Sequence, residues 1–459
     1  EEFVRKVRAE HRGLAGIVHL LPLRSAPVFP GISEEDWLRH VRSEVRGLMF
    51  LLQAVSDEMK QADQEQFTVL CLSRGGGDWS ADGVKEAAHA WRGGLSGLLK
   101  TAAREYPHVH FRAVDVDECP NPDVLLSECG AEGPVEVGYR GWRRWVVDVC
   151  HEELPDEAEV LGDSGLNEKS VVLVTGGARG ITAQIAHEIA LRTQAHFVLV
   201  GRTTPLDQAE EDQPVGSGDP TELRRLLSER HRVAGEMVTP KKIEKQVRDI
   251  LARREVVRTL EAVRETGASV EYHACDVRDT EAFGTIVREV QKRLGCIDAV
   301  IHGAGIIEDK YLVDKTSDSF DRVVETKIHP LLTLIREVAP ERLKFAMLFS
   351  SVAGFFGNPG QCDYAVANEM INRIARRLRD CGIPKVVSIN WGPWRELGMV
   401  KPEVARQFEE RGIGMVSVAA GRRAAWRELC VRNGGDVRVV IGPGPWMERA
   451  NRMAEEKVG

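Results

Sequence analysis

Short apolar runs separated by stretches of helical period organise the chain from about residue 170 onward. They are Val171–Val174, Phe197–Val200, Ala299–Ile301, Phe345–Phe349 and Val386–Ile389. Unbroken apolar runs suit strands covered on both faces, and strands that alternate with helices predict an α/β architecture built on a parallel, doubly wound sheet. A helix is expected from about Ala183 to Arg192, between the first two runs. Arg202 and Asp276 are more than 70 residues apart, where a strand–helix–strand unit needs about half that. The surplus reads as helix: Thr239 caps it, Pro240 opens it, and Ile243, Val247, Ile250, Val257 and Leu260 form an apolar stripe. This predicts a helical hairpin inserted at about 203–265, a scaffold on the sheet edge or a docking surface.

The first 150 residues look like a worn copy of the region from about residue 296. At one constant offset, Gly16–His19 falls on Ala299–His302, Trp37 on Phe320, Arg39 on Arg322 and Leu48 on Leu331. With small shifts Phe67–Ser73 falls on Phe345–Ser351, and Ala113–Asp115 on Ser388–Asn390. A second doubly wound unit is expected, truncated and degenerate. It lacks a glycine-rich loop and should hold no dinucleotide. Residues 151–169, crowded with Glu152, Glu153, Asp156, Glu157, Glu159, Asp163 and Glu168, read as a solvated acidic linker. The expected division is a structural subdomain at 1–150, the linker at 151–169, and a second subdomain at 170–459.

Composition narrows the class. With 43% hydrophobic and 29% charged residues the chain is globular, and no apolar run approaches the ~18 residues of a membrane span. A net charge of −8 opposes nucleic-acid binding. The nine cysteines are scattered without a CxxC pair, which disfavours a disulfide framework or a structural metal and points to a reducing cytoplasm. The chain starts at Glu1 without Met or a signal peptide, as expected of a piece of something longer.

The chemistry concentrates in a few places. Thr175-Gly176-Gly177-Ala178-Arg179-Gly180 follows the first strand and opens a helix, so its glycines let the backbone approach a pyrophosphate while the helix end supplies free N–H groups. Thr182 stands where a third glycine is common. Arg202 ends the next strand, where an acid would select NAD, and therefore points to NADPH. Asp276-Val277 is placed for the adenine edge. Ser351, Tyr364, Asn368 and the upstream Lys327 complete the set. A tyrosine is a poor acid at neutral pH unless a cation beside it favours the phenolate, which Lys327 can do. Ser351 can hold a substrate carbonyl, and Asn368 lies one helical turn beyond Tyr364.

These residues resemble the short-chain dehydrogenase/reductases, and more closely the ketoreductase domains of type I polyketide and polyunsaturated fatty acid synthases. The resemblance is carried by TGGARG (175–180) with Ile181, by GR (201–202) and DV (276–277), and by HGAG (302–305) with Gly303, Ala304 and Gly305. Lys327, SSVAGFFGNPGQCDYAVAN (350–368) and NWGPW (390–394) complete it. Most short-chain reductases place the lysine four residues after the tyrosine; here Asn368 holds that place and Lys327 lies upstream, as in synthase ketoreductases. The resemblance implies two Rossmann-like subdomains, the N-terminal one without cofactor. In that copy Lys327 aligns with Glu44, and Tyr364 falls near His89.

The resemblance also implies a reaction. NADPH would reduce a 3-oxoacyl thioester, carried on the phosphopantetheine arm of an acyl carrier protein, with Tyr364 as proton donor. The other domains of the same synthase would be further partners, with no metal, nucleic acid or membrane. Residues 394–415, with Trp394 and Met399, would form a substrate lid. Arg376, Arg377 and Arg379 would offer a carrier-docking patch or a plain solvated face. Ketoreductases giving the 3R alcohol carry Leu-Asp-Asp before the lysine, where this chain has Ile307-Glu308-Asp309; those of opposite hand carry Trp where it has Phe356. Both positions imply 3R, while Glu308 and the Asp363 before Tyr364 depart from the pattern. Two other readings remain open: a catalytically silent NADP-binding domain of a synthase, and a free-standing reductase of small ketones.

Overall fold

A computed structural model of the chain describes residues 2–11, 13–24, 26, 31–61, 67–75, 89–117, 122–141, 143–153, 164–205, 219–395, 397, 406, 410, 412–431 and 436–446. The elements up to residue 164 are α1 (Glu2–Glu10), β1 (Gly16–His19), α2 (Glu34–His40), α3 (Gly47–Ala54), α4 (Ser56–Gln61), β2 (Thr68–Ser73), α5 (Gly93–Glu105), β3 (His110–Val116), α6 (Pro122–Glu128), β4 (Glu136–Arg140) and β5 (Arg143–Val146). Then follow β6 (Val171–Thr175), α7 (Gly180–Thr193), β7 (His196–Gly201), α8 (Pro220–Val233), α9 (Pro240–Glu265), β8 (Ser269–Ala274), α10 (Thr280–Leu294) and β9 (Ala299–His302). The last are α11 (Ser317–Glu337), β10 (Phe345–Ser351), α12 (Val352–Phe356), α13 (Cys362–Asp380), β11 (Val386–Trp391), α14 (Val418–Cys430) and β12 (Arg438–Ile441). The chain is thus α/β with parallel sheets, and every apolar run read from the sequence is a strand.

Packing groups the chain as Glu1–Ser164 with Gly305–Gly459, and separately Gly165–Ala304. This differs from the break expected between 150 and 170. The physical reason lies in α5 and α13, which approach closely through glycine: a Cβ on Gly97 would stand 2.5 Å from the Ala365 carbonyl oxygen. Gly93 and Gly94 likewise lie against Arg373 and Met370. The N-terminal half is therefore packed onto the helix that carries Tyr364.

In Gly165–Ala304 the strands run β9-β6-β7-β8, all parallel. The order reverses at β6, so the chain leaves β6 toward β7 while β9 returns on its other side. Such a reversal opens a crevice at the carboxyl ends of the strands. The insertion is a helical pair, α8 and α9, with Leu223, Leu227 and Val247 buried between them. Thr239 caps α9 by accepting the Lys242 N–H, as expected. The buried stripe passes through Val256 and Val263 rather than Val257; residues 206–218 of the insertion lie outside the described ones.

In the other unit the N-terminal sheet runs β1-β2-β3-β4 in parallel, with β5 antiparallel at its edge. Its order never reverses. The internal resemblance extends to the caps: Ser33 accepts the Asp36 N–H to start α2, and Thr316 accepts the Ser319 N–H to start α11 at the same offset. Four residues on, Trp37 and Phe320 are both fully buried. Strands β10, β11 and β12 are parallel neighbours. Residues 154–163 of the expected linker are not among the described ones.

Candidate active site

The glycine-rich turn begins where β6 ends. Gly176 adopts φ +70, and a Cβ there would come within 2.9 Å of the Ala304 nitrogen, so only glycine admits the turn against the Gly303-Ala304 backbone. Thr175 and His302, at the ends of β6 and β9, are joined by a 2.7 Å hydrogen bond between Oγ1 and Nδ1. The Thr182 side chain fills the space against Gly303 that a third glycine would leave. The cradle therefore fits a dinucleotide: residues 175–181 bring glycine backbone and a helix N-terminus to the crevice where the strand order reverses. No sequence pattern marks the partner of this helix end. Glu255 of α9 accepts the Gly180 N–H at 2.9 Å and pairs with Arg179 at 2.9 Å, so the insertion caps α7, whose own N-cap Arg179 makes no side-chain cap.

Arg202 is exposed just past β7. Its turn is held by Tyr272, whose hydroxyl donates toward the carbonyls of Gly201 and Thr203 at 2.9 and 2.6 Å. Asp276 lies two residues beyond β8; its bond to Arg278 and the nearby charge of Arg202 hold its carboxyl below the usual range. Val277 beside it is buried.

The second group lies in the other unit, where Lys327, Ser351, Tyr364 and Asn368 come together. Lys327 projects from α11, donates to the Phe349 carbonyl at 2.7 Å, and sits 5.9 Å from the centre of the Tyr364 ring. Burial pushes its amine down to about 7. Gly305 lies against this lysine. Ser351 ends β10 and caps α12, its Oγ accepting the Ala353 N–H at 3.2 Å. Burial raises the Tyr364 phenol; hydrogen bonds with Asn368 and Ser351 pull it back, and the charge of Asp309 raises it. Asn368 is fully buried and donates to the Tyr364 carbonyl at 2.8 Å, while its Oδ1 has no partner among the described residues.

Beneath these residues runs a polar network that single-residue reading missed. Ser350 donates to the Asn368 carbonyl and to Asn390, each at 3.0 Å. Asn372 donates to Asn390 and Glu369, and Ser388 donates to Asn372. Asn390 opens the NWGPW stretch, so that motif marks this network.

Deeper in the same unit, Glu136 of β4 pairs with Lys100 of α5 and Arg373 of α13, and Glu369 pairs with Arg373 and Arg438. Burial works upward on Glu136, but Lys100, Arg373 and Arg438 outweigh it and hold the carboxyl at about 2.

Asp363, one of the departures from the family pattern, has a fully buried partner in Lys315, 2.8 Å away. Lys315 also donates to the Glu308 carbonyl, and Asp363 accepts the Tyr364 N–H at 2.8 Å. Glu308, the other departure, makes a two-pronged bond with Arg322 at 2.8 and 2.7 Å, which holds it at about 2. Asp309 is exposed and accepts from Gln361 at 3.0 Å.

Phe356 is buried and stacked on Trp446 with centroids 5.4 Å apart, and Trp394 is buried edge-on to Trp391. Both are core positions as well as candidate ones. Met399 and most of 394–415 lie outside the described residues. Of the basic trio, Arg377 is buried and Arg376 half-buried, and both pair with Asp380.

Among the described residues eight cysteines are free, no group of His, Cys, Asp and Glu could hold a metal, and no helix is long and apolar enough to cross a membrane.

Known proteins resemble the chain in sequence and in fold. Residues 170–396 match the family described as KR domain. A polyunsaturated fatty acid synthase subunit from Thraustochytrium sp. is 30% identical over 396 residues, covering 83% of this chain and 14% of that protein. Polyketide synthase ThaG of Burkholderia thailandensis is 28% identical over 384 residues, covering 80% of this chain and 6% of that protein. The chain thus spans a small fraction of the length of these relatives. In fold, an N-terminal ketoreductase from the macrolactin assembly line matches with TM-score 0.68 at 20% identity, covering 99% of this chain and 78% of that one. A-type ketoreductases from a modular polyketide synthase match with TM-score 0.72 at 22% identity, covering 99% and 82%. Parallel α/β sheets, a glycine-rich turn at the strand reversal and the KR match define an oxidoreductase of the nicotinamide-dependent class. Within that class the chain belongs to the ketoreductase domains of polyketide and polyunsaturated fatty acid synthases.

Proposed function

We propose that this ketoreductase uses NADPH to reduce a 3-oxoacyl thioester, carried by the phosphopantetheine arm of an acyl carrier protein, mainly to the 3R-hydroxyacyl thioester. It would act in the cytoplasm among the other domains of a synthase. The observation that carries this reading is the grouping of Lys327, Ser351, Tyr364 and Asn368, with the Lys327 ammonium 5.9 Å from the Tyr364 ring. Residues 175–181 and 303–305 would hold the dinucleotide, with Asp276 and Val277 at its adenine edge and Arg202 favouring the 2′-phosphate. When bound, NADPH supplies hydride to C3.

The remaining chemistry falls to the chain. Ser351 Oγ accepts from Ala353 N–H, so its own proton can be directed to the ketone oxygen. Burial keeps Tyr364 protonated at neutral pH, and Lys327 favours the phenolate as the proton leaves for that oxygen. Asn368 Oδ1 is available to a water that returns the proton. Asp309 would line one entrance for the acyl arm and Phe356 leaves out the Trp of the opposite class, which supports 3R. Residues 1–150 would serve as a scaffold, 151–169 as a linker and 170–459 as the catalytic subdomain: in the copy, the acid Glu44 replaces the lysine and is engaged by Trp91 and Arg92. The test is NADPH oxidation with carrier-bound and free 3-oxoacyl thioesters; activity on small free ketones alone would overturn the substrate reading.

A further inference from the structure

The end of α5, in the half without catalytic residues, reaches the segments around Tyr364. Glu105 accepts the Leu312 N–H through Oε2 and the Gly360 N–H through Oε1, both at 2.8 Å. One amide belongs to the segment that follows Asp309, the other to the loop that leads into Tyr364. The two segments also touch directly: the Lys310 N–H bonds the Gly360 carbonyl at 2.9 Å, and Gln361 donates to Asp309.

Neighbouring side chains act on the same backbone. Arg104 donates to the Phe356 carbonyl at 2.6 Å, and Thr101 accepts the Asn358 N–H at 3.4 Å. From α3, Gln53 donates to the Leu312 and Lys315 carbonyls at 2.8 and 2.7 Å. Each of these holds one segment, whereas Glu105 grips both at once. A carboxylate that accepts two backbone N–H groups makes charge-assisted bonds, stronger than neutral ones. Burial raises this carboxyl while those two bonds pull it down.

We propose that Glu105 is a positioning residue: by bridging Leu312 and Gly360 it sets the placement of Asp309 relative to Tyr364, and thereby the hand of the alcohol. The proposal rests on the reading of the chain as a 3-oxoacyl reductase. Glu105→Gln keeps the size but offers one acceptor in place of two, so one of the amides meets an NH2 group. A buried core residue of β2 supplies a control, because Val69→Ala lowers stability without touching either segment.

Both variants and the unmutated protein are compared for thermal stability, NADPH affinity, kcat, KM, enantiomer ratio and amide hydrogen exchange. Glu105→Gln should leave NADPH affinity within about twofold and lower the enantiomer ratio by about five- to tenfold, the scale of one lost bond. Exchange should accelerate at 308–315 and 357–361, with none of this in Val69→Ala. Unchanged exchange at Leu312 and Gly360, or equal ratios in the two variants, overturns the proposal. If the unmutated protein reduces no 3-oxoacyl thioester, the reductase reading fails, and the exchange data still decide whether Glu105 holds the two segments together.

Discussion

Lys315→Met is the perturbation whose cost the structure lets us work out. Lys315 and Asp363 are buried 2.8 Å apart, and the lysine also satisfies the Glu308 carbonyl. Even with this partner, burial holds the Asp363 carboxyl up at about 6, against 3.8 in the unfolded chain. The folded state therefore binds the proton more tightly, and the penalty for ionising Asp363 is absent below about pH 4 and full above about pH 6. Without Lys315 the carboxyl rises further. At pH 8 the variant must bury an unpaired carboxylate or protonate it, a loss of roughly 3–5 kcal/mol. At pH 5 the carboxyl is largely neutral in both proteins, and the loss shrinks to the orphaned Glu308 carbonyl, about 1–2 kcal/mol. Urea unfolding followed by tryptophan fluorescence at both pH values measures the difference. Adding Asp363→Leu to Lys315→Met should restore most of the stability at pH 8. A cost equal at the two pH values, or larger at pH 5, would show that Lys315 does not act by compensating the Asp363 charge.

Tyr364→Phe should cut turnover by roughly 10²-fold or more while leaving NADPH affinity intact, measured by stopped-flow and by fluorescence titration. Near wild-type turnover would remove Tyr364 from its role. Arg202→Ala should weaken NADPH far more than NADH, and equal losses would argue against 2′-phosphate recognition. Lys327 is charged only below about 7, so kcat should fall as pH rises through that value; Lys327→Arg, which stays charged, should shift that limb upward.

Much of the arrangement was legible in the sequence because it follows short-range rules. The strands at β6, β7, β9, β10 and β11 are apolar runs, and the glycine turn sits where a strand meets a helix. The offset between the halves carries from Trp37 and Phe320 to the caps Ser33 and Thr316. Lys327, Ser351, Tyr364 and Asn368 are read as a set from their residue types and a family resemblance, and the fold brings the four together. What escaped was set by residues distant in sequence. Lys315 and Asp363, Glu105 with Leu312 and Gly360, and Glu255 with Gly180 are pairings that no periodicity announces. Asp363 and Glu308 stood out only as departures from a pattern, and their partners Lys315 and Arg322 account for both. The packing boundary escaped as well, because α5 and α13 meet through glycines whose role shows only in the close approach.

The proposed roles of Tyr364, Lys327, Ser351 and Asn368 in reducing a 3-oxoacyl thioester with NADPH make a claim open to direct measurement. The most direct measurement incubates the protein with NADPH and a panel of carrier-bound 3-oxoacyl thioesters, follows cofactor oxidation, and resolves the alcohols by chiral chromatography. Stoichiometric NADPH consumption with mainly 3R-hydroxyacyl product is expected, slowed roughly 10²-fold or more by Tyr364→Phe. No product from any member of the panel would contradict the claim, and predominantly 3S alcohol would overturn the stereochemical assignment while leaving the reductase standing.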